Sequence, residues 1–290
     1  MDLELLYKQY YPLLFSIAYR MLGSVADAED LAHDVILQAE PLDADNITNM
    51  KAYLTKMAAN RCLNLLKSSR KNREVYTGPW LPEPQVSLHE ESPLETVVKN
   101  ETISYALLVL MEQLTPVERA VFVLREAFEY EYGEIAEILE KSEANCRKIY
   151  SRVKKKLQPG VPQLSRSAEH MDRLVKKFID ASKTGNFSDF IGMLTDDAVL
   201  ISDGGGKVLA AINPIVSKER VAAFLEGLAS KGGFQGDIRP AFVSGQSGIV
   251  HIKDGRPDKV ICFDLDESRK HVNLIYLVRN PDKLKRITVP

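Results

Sequence analysis

Residues Tyr132–Leu157 read YGEIAEILEKSEANCRKIYSRVKKKL. Ile135, Ala136, Ile138 and Leu139 give a first short helix an apolar face. Glu140-Lys141 supplies a turn, and Ser142 is a good N-cap for a second helix. In that second helix Cys146, Ile149, Val153 and Leu157 recur at steps of three or four and share one side. The other sides carry Asn145, Arg147, Lys148, Ser151, Arg152, Lys154, Lys155 and Lys156, six cations and no anion after Asn145. A bundle has no packing use for that bias, whereas a helix entering the major groove of DNA does. The competing reading is a solvated basic helix end favoured by the helix dipole.

Outward from this segment, 290 residues allow about two domains or three small ones. The net charge is only −2, so the charge that matters is local. From Asp27 to Asp45 there are seven acids and no Lys or Arg, and from Arg61 to Arg73 five bases and no acid. One end of the protein thus carries neighbouring surfaces of opposite sign. Cys62, Cys146 and Cys262 are far apart and lack metal-ligand spacing, which reads as reduced thiols in a cytoplasmic protein with no metal and no cofactor. Neither a signal peptide nor a membrane span is expected.

Residues 1–74 read as all-helical. Leu6, Tyr10, Leu13, Leu14, Ile17, Ala18, Met21 and Leu22 form one stripe, and Ser24 caps a helix over Ala26–Gln38. After a polar loop at Pro41–Asn49, a helix over Met50–Asn72 offers Tyr53, Leu54, Met57, Ala58 and Leu65 to the core. Residues 75–94 hold Pro79, Pro82, Pro84, Pro93 and Trp80, the one tryptophan, and read as a stiff extended linker. Trp80 either tacks the linker to its own domain or meets another. Residues 95–160 are helical again, with Thr115-Pro116-Val117-Glu118 as a capping box. From 165 to 290 the style changes. Helices at Glu169–Lys183, Asp189–Leu194 and Ser217–Ala229 accompany strands at Ala198–Ser202, Val208–Ala211, Ile238–Val243, Gly248–Ile252, Val260–Leu265 and Val272–Val278. That pattern is an α+β domain with helices packed on a curved antiparallel sheet.

With these pieces in order, the chain resembles a bacterial sigma factor of the extracytoplasmic-function (ECF) type. DAEDLAHDVIL at Asp27–Leu37 and YLTKMAANRCLNLLK at Tyr53–Lys67 resemble sigma region 2; LTPVERAVFVLRE at Leu114–Glu126 and the helix pair after it resemble region 4. YTGPWLPEP (Tyr76–Pro84), SEANCRK (Ser142–Lys148), DGGGK (Asp203–Lys207) and NPDKL (Asn280–Leu284) resemble the subgroup with a SnoaL-like, NTF2-type domain at its C-terminus. The resemblance implies two all-α sigma domains, region 2 over 1–74 and region 4 over 95–160, followed by the α+β SnoaL-like domain over 165–290. It implies a factor that binds core RNA polymerase through the β′ clamp and β flap regions and directs promoter-specific initiation.

The resemblance also distributes roles. Asp27, Glu29, Asp30 and Asp34 become polymerase contacts. At the −10 element, Asn46 and Asn49 offer polar edges to an unpaired base, Asn60 and Asn64 stand at polar family positions, and Arg61, Lys67, Arg70 and Lys71 offer phosphate contacts. Asn64 is commonly Asp in the family. At the −35 element Glu143, Asn145, Arg147 and Lys148 sit where a recognition helix meets base edges, with Ser151, Arg152 and Lys155 on phosphates. The C-terminal domain is expected to act as an intramolecular regulator, holding regions 2 and 4 in a compact arrangement, through Trp80, the turn Asp203-Gly204-Gly205-Gly206-Lys207 and the tail Asn280-Pro281-Asp282-Lys283-Leu284. Two rivals stay open: a stand-alone DNA-binding regulator, and a bifunctional protein whose last domain binds or converts a small molecule with acid–base groups among His170, Asp196, Asp197, Asp203, His251 and Asp264. Asp203–Lys207 lacks P-loop spacing, so a tight turn is expected there rather than a phosphate cradle.

Overall fold

The computed structural model describes residues 3–41, 47–73, 76–88, 104–157 and 168–289. Asn46 lies outside the described residues, as do the side chains of Arg70 and Lys71. The chain divides into two compact units. One gathers Met1–Glu74, Glu91–Ile103 and Leu108–Val161; the other gathers Val75–Glu90, Ser104–Leu107 and Pro162–Pro290.

The first unit is helical. Its elements are α1 (Leu3–Leu22), α2 (Val25–Ala39), α3 (Met50–Arg73), the later part of α4 (Tyr105–Met111), α5 (Pro116–Glu126), α6 (Tyr132–Leu139) and α7 (Glu143–Leu157). Local chemistry places their starts. The Ser24 hydroxyl accepts the Asp27 N–H at 3.2 Å, and Thr115 with Glu118 closes the expected capping box. Such caps contribute about 0.5–2 kcal/mol each. In α3 the buried side is Leu54, Thr55, Ala58, Ala59, Cys62 and Leu66. Tyr53 and Leu65, expected in the core, are instead 38% and 42% exposed. A packed helix hides a stripe of limited width, and the small residues Thr55, Ala58 and Ala59 let its neighbours approach on the other side.

Within this unit the two helical segments pack directly on each other. The Arg119 guanidinium, 3% exposed, donates to the Met21 carbonyl at 2.8 Å and to the Met111 carbonyl through Nε at 3.0 Å. It also pairs with Glu112 at 2.8 Å. The hydroxyls of Thr55 and Tyr130, both buried, meet at 2.8 Å. Arg20 lies 5.0 Å from the Phe128 ring centroid, and Lys56 reaches Glu140 at 3.0 Å.

The second unit is built on a seven-stranded sheet in the order β1-β4-β5-β6-β7-β2-β3. The strands are β1 (Val86–Ser87), β2 (Leu194–Asp203), β3 (Ile215–Val216), β4 (Asp237–Val243), β5 (Gln246–Lys253), β6 (Arg256–Leu265) and β7 (Val272–Val278). The helices are α8 (Ala168–Thr184), α9 (Ser188–Ile191), α10 (Lys218–Ser230) and α11 (Pro281–Leu284). One sheet face presents Ile249, Ile261, Phe263, Ile275 and Leu277 to Leu174, Phe178, Phe187, Phe190, Val221 and Leu225. The α+β architecture is as expected, with three corrections. The sheet is mixed, because β2 runs parallel to β7. Asp189–Leu194 yields one helical turn, and Leu194 already opens β2. Val208–Ala211 is no strand: its backbone folds back over the glycine turn, and the Leu209 carbonyl is taken by the Arg279 guanidinium instead of a ladder partner.

The linker supplies the edge strand β1, where Val86 and Ser87 pair with Val243 and Phe242 of β4. Leu81 and Glu83 are buried, and the Tyr105 hydroxyl donates to the Pro82 carbonyl at 2.8 Å. Residues 76–88 are thus part of the second unit's structure.

Candidate functional site

Three surfaces carry the candidate residues. The first is α2. Asp27, Asp30 and Asp34 fall at helical spacing on one exposed side, with Glu29 half-buried beside them. Leu37 continues that side at 55% exposure, an apolar group whose place in an acidic face the charge pattern does not reveal. Asp34 accepts from the Arg61 guanidinium at 2.9 Å, so one expected polymerase contact and one expected DNA contact are paired with each other.

The second surface is the exposed side of α3. Asn60, Arg61, Asn64 and Lys67 lie on it at steps of three and four, and Tyr53 and Met57 extend it toward the helix start. Tyr53 and Met57 are both residues expected in the core; their spacing from Asn60 and Asn64 is the signal that places them on this side. Asn49 has a different occupation, since its side-chain oxygen accepts the Ala52 N–H at 3.0 Å and caps α3.

The third surface is α7. Ser142 caps it as expected, accepting the Asn145 N–H at 3.3 Å, and Cys146, Ile149, Val153 and Leu157 are all buried. That orientation leaves Glu143, Asn145, Arg147, Lys148, Ser151, Arg152 and Lys155 exposed. Arg147, Lys148, Ser151, Arg152 and Lys155 line an open groove of ≈ 510 Å³. Two cations are tied back to α5 or the turn before it: Arg152 stands 3.4 Å from Glu118, and Lys156 donates to the Gln113 carbonyl at 2.6 Å. Glu118 is held below the ordinary carboxylate range: the Thr115 N–H and hydroxyl, Lys156 and Arg152 together outweigh its desolvation. Lys148 and Lys155 form no ion pair among the described residues.

In the second unit the three motifs expected to mediate regulation meet one another. Asp203, fully buried, accepts the Tyr76 hydroxyl at 2.6 Å, the Leu81 N–H at 2.9 Å, the Gly205 N–H at 3.0 Å and the Lys283 ammonium at 2.7 Å. Lys283 also donates to the Leu81 carbonyl and lies 4.1 Å from the Trp80 ring centroid. Asn280 donates to the Tyr76 hydroxyl at 2.8 Å and caps α11, which Pro281 opens. Leu284 is buried, while Lys207 and Asp282 form an exposed pair. Burial and the Asp203 carboxylate push the Tyr76 phenol well above its ordinary range. Gly205 has φ +61°, and a Cβ there would stand 2.3 Å from the Asn280 amide nitrogen. The glycine-rich segment is therefore a close-packed turn, and Trp80 tacks the linker to the second unit.

The acid–base candidates do not converge on one another. His170 meets the Lys270 carbonyl at 3.1 Å, and the Asp196 side chain is fully exposed. His251 is buried between Asp258 at 3.1 Å and the Gln235 carbonyl at 2.9 Å. No two of His170, Asp196, Asp197, Asp203, His251 and Asp264 share a hydrogen bond among the described residues.

Residues 6–72 match the family profile "Sigma-70 region 2", and residues 104–157 match "Sigma-70, region 4". The chain is similar to the ECF RNA polymerase sigma factor SigJ of Mycobacterium tuberculosis, 34% identical over 240 residues, 81% of this chain and 76% of that protein. It is also similar to a probable ECF RNA polymerase sigma factor, SigI, of the same organism, at 26% identity over 62% of this chain and 63% of the relative. The crystal structure of M. tuberculosis SigJ superposes with a TM-score of 0.77 at 27% identity, covering 96% of this chain and 97% of that one.

Proposed function

The chain belongs to the ECF RNA polymerase sigma factors, and from that premise we propose how its surfaces divide the work. It binds RNA polymerase and directs promoter-specific initiation. One observation carries the division of labour: the region 2 match holds both the acidic exposed side of α2 and the basic exposed side of α3, and the region 4 match holds the basic exposed side of α7. Asp27, Glu29, Asp30 and Asp34, with Leu37 among them, dock on the β′ clamp, and region 4 meets the β flap. The α3 ridge takes the −10 element, with Tyr53 as a stacking platform and Asn60, Arg61, Asn64 and Lys67 on bases and phosphates. The α7 groove takes the −35 element. The protein works in the cytoplasm, where its polymerase is; no helix among the described residues is long and apolar enough to cross a membrane.

The second unit regulates in cis. Its support is the anchoring of residues 76–88 on that unit, which takes up chain that would otherwise tether region 2 to region 4. The packing of the two sigma segments inside the first unit defines a closed form that opens to span a promoter.

The test is charge reversal on α2. Full-length protein carrying Asp30→Lys and Asp34→Lys is compared with the parent in a core-polymerase pull-down and in transcription. Loss of at least ten-fold in both is expected, because each reversed charge replaces attraction with repulsion at the docking face. Retained pull-down, or tight promoter binding without polymerase, overturns the assignment in favour of a stand-alone regulator.

A further inference from the structure

Tyr132, at the first position of α6, touches no expected DNA contact in the sequence but organises one in space. The guanidinium of Arg147 stands 4.5 Å from the Tyr132 ring centroid, and that of Arg125 stands 4.8 Å from it. Arg125 is itself fixed, donating to the Tyr130 carbonyl at 2.8 Å and pairing with Glu131 at 3.0 Å. The ring is held edge-on by Tyr150 at 5.9 Å, and Tyr150 stacks on the buried Phe122. Arg147 is gripped a second time, by Glu143 one helical turn earlier, through Nε at 3.1 Å and Nη2 at 2.5 Å.

A guanidinium offers two bidentate edges, one made by Nε with Nη2 and one by Nη1 with Nη2. Glu143 occupies the first. The second lies at the tip of a side chain that is 59% exposed. Bidentate donation to O6 and N7 is the commonest base-specific contact of arginine, and it selects guanine. An arginine on a solvent-facing helix ordinarily samples many rotamers, and ordering it weakens the contact; here the ring and the carboxylate have already ordered it.

We propose that Arg147 reads a guanine of the −35 element through its Nη1–Nη2 edge, and that Tyr132 is its positioning residue, with Glu143 holding Arg147 rather than reading a base itself. The proposal rests on the reading of α7 as a promoter-recognition helix. It separates Arg147 from Lys148 and Lys155, which have no such support and serve phosphates.

The test uses the full-length chain with core polymerase on a promoter library randomised through the −35 element, with transcripts sequenced. The parent protein is expected to enrich guanine at one position, and Arg147→Ala to abolish that preference while leaving the other positions selective. Tyr132→Phe keeps the ring face and is expected to match the parent. Tyr132→Leu keeps apolar bulk without the ring quadrupole, and is expected to cut the guanine preference about two- to five-fold at that position alone. An even loss across all positions in Tyr132→Leu, an equal loss in Tyr132→Phe, or an intact preference in Arg147→Ala overturns the proposal. A parent chain that yields no transcript from any library member sinks the sigma-factor mechanism beneath it, a result distinct from a selective parent indifferent to Arg147.

Discussion

At Asp264, burial pushes the carboxyl up to about 6 from an ordinary 3.8, and the Leu265 N–H that it accepts offsets only part of the rise. The folded chain therefore holds this proton more tightly than the unfolded chain. For such a group the stability contribution is fully present below the unfolded value and is lost as pH rises through about 6. Asp264→Asn keeps the accepting oxygen and removes the titration. It is expected to unfold at higher urea than the parent near neutral pH, by about 1–3 kcal/mol, with the two curves converging near pH 4. A difference that stays constant across that range would show that the carboxyl is not the cause. The sequence marked Asp264 only as a possible acid–base group. Strand alternation shows that it faces away from Phe263, but not that the linker and Tyr105 help cover that second face of the sheet. Burial on it depends on residues some 160–190 positions away.

Among the elements, legibility followed the range of the forces involved. The starts of α2, α5 and α7 were readable because each cap is a bond across three residues, and the α7 stripe was readable because helical period alone decides it. The strand β1 was not, because its partner among the described residues is β4, more than 150 residues later, and two residues carry no period. The parallel pairing of β2 with β7 escaped for the same reason. The side of α3 was misread at Tyr53 and Leu65, since hydrophobicity alone did not say that Thr55 would be the buried position. Thr55 is also where the closed form of the first unit can be tested. Tyr130→Phe removes one hydroxyl and leaves the buried Thr55 hydroxyl without that partner, at a cost of about 1–3 kcal/mol to the packed arrangement. The expected outcome is a larger radius of gyration by small-angle scattering and more transcript at limiting sigma factor. Lys56→Ala breaks only the exposed pair with Glu140 and is expected to change neither. A Tyr130→Phe protein with the parent's radius and output would remove this contact from the account of closure.

For the whole molecule the question is how two weak DNA-binding segments on a chain of net charge −2 acquire a usable affinity. In the proposed mechanism neither holds a promoter alone, so their combined strength depends on the chain between them, whose reach sets the effective concentration of the second contact after the first. Thirteen residues of that chain, 76–88, are bound to the second unit. Fully extended they would add about 45 Å of reach. Their anchor is the ion pair of Asp203 and Lys283, and removing one partner of a buried pair costs about 3–5 kcal/mol because the other charge is left desolvated. Lys283→Met should therefore lower the melting temperature of the second unit and free the linker, and transcription across a series of promoters with altered spacing between the −10 and −35 elements should tolerate longer spacers than the parent does. Lys207→Ala, in the same motif cluster but breaking a pair that is more than half exposed on both sides, should leave melting and spacer tolerance unchanged. If Lys283→Met melts early yet keeps the parent's spacer profile, the anchored linker stabilises the second unit without setting the reach of the promoter reader, and the regulatory part assigned to this clasp is lost.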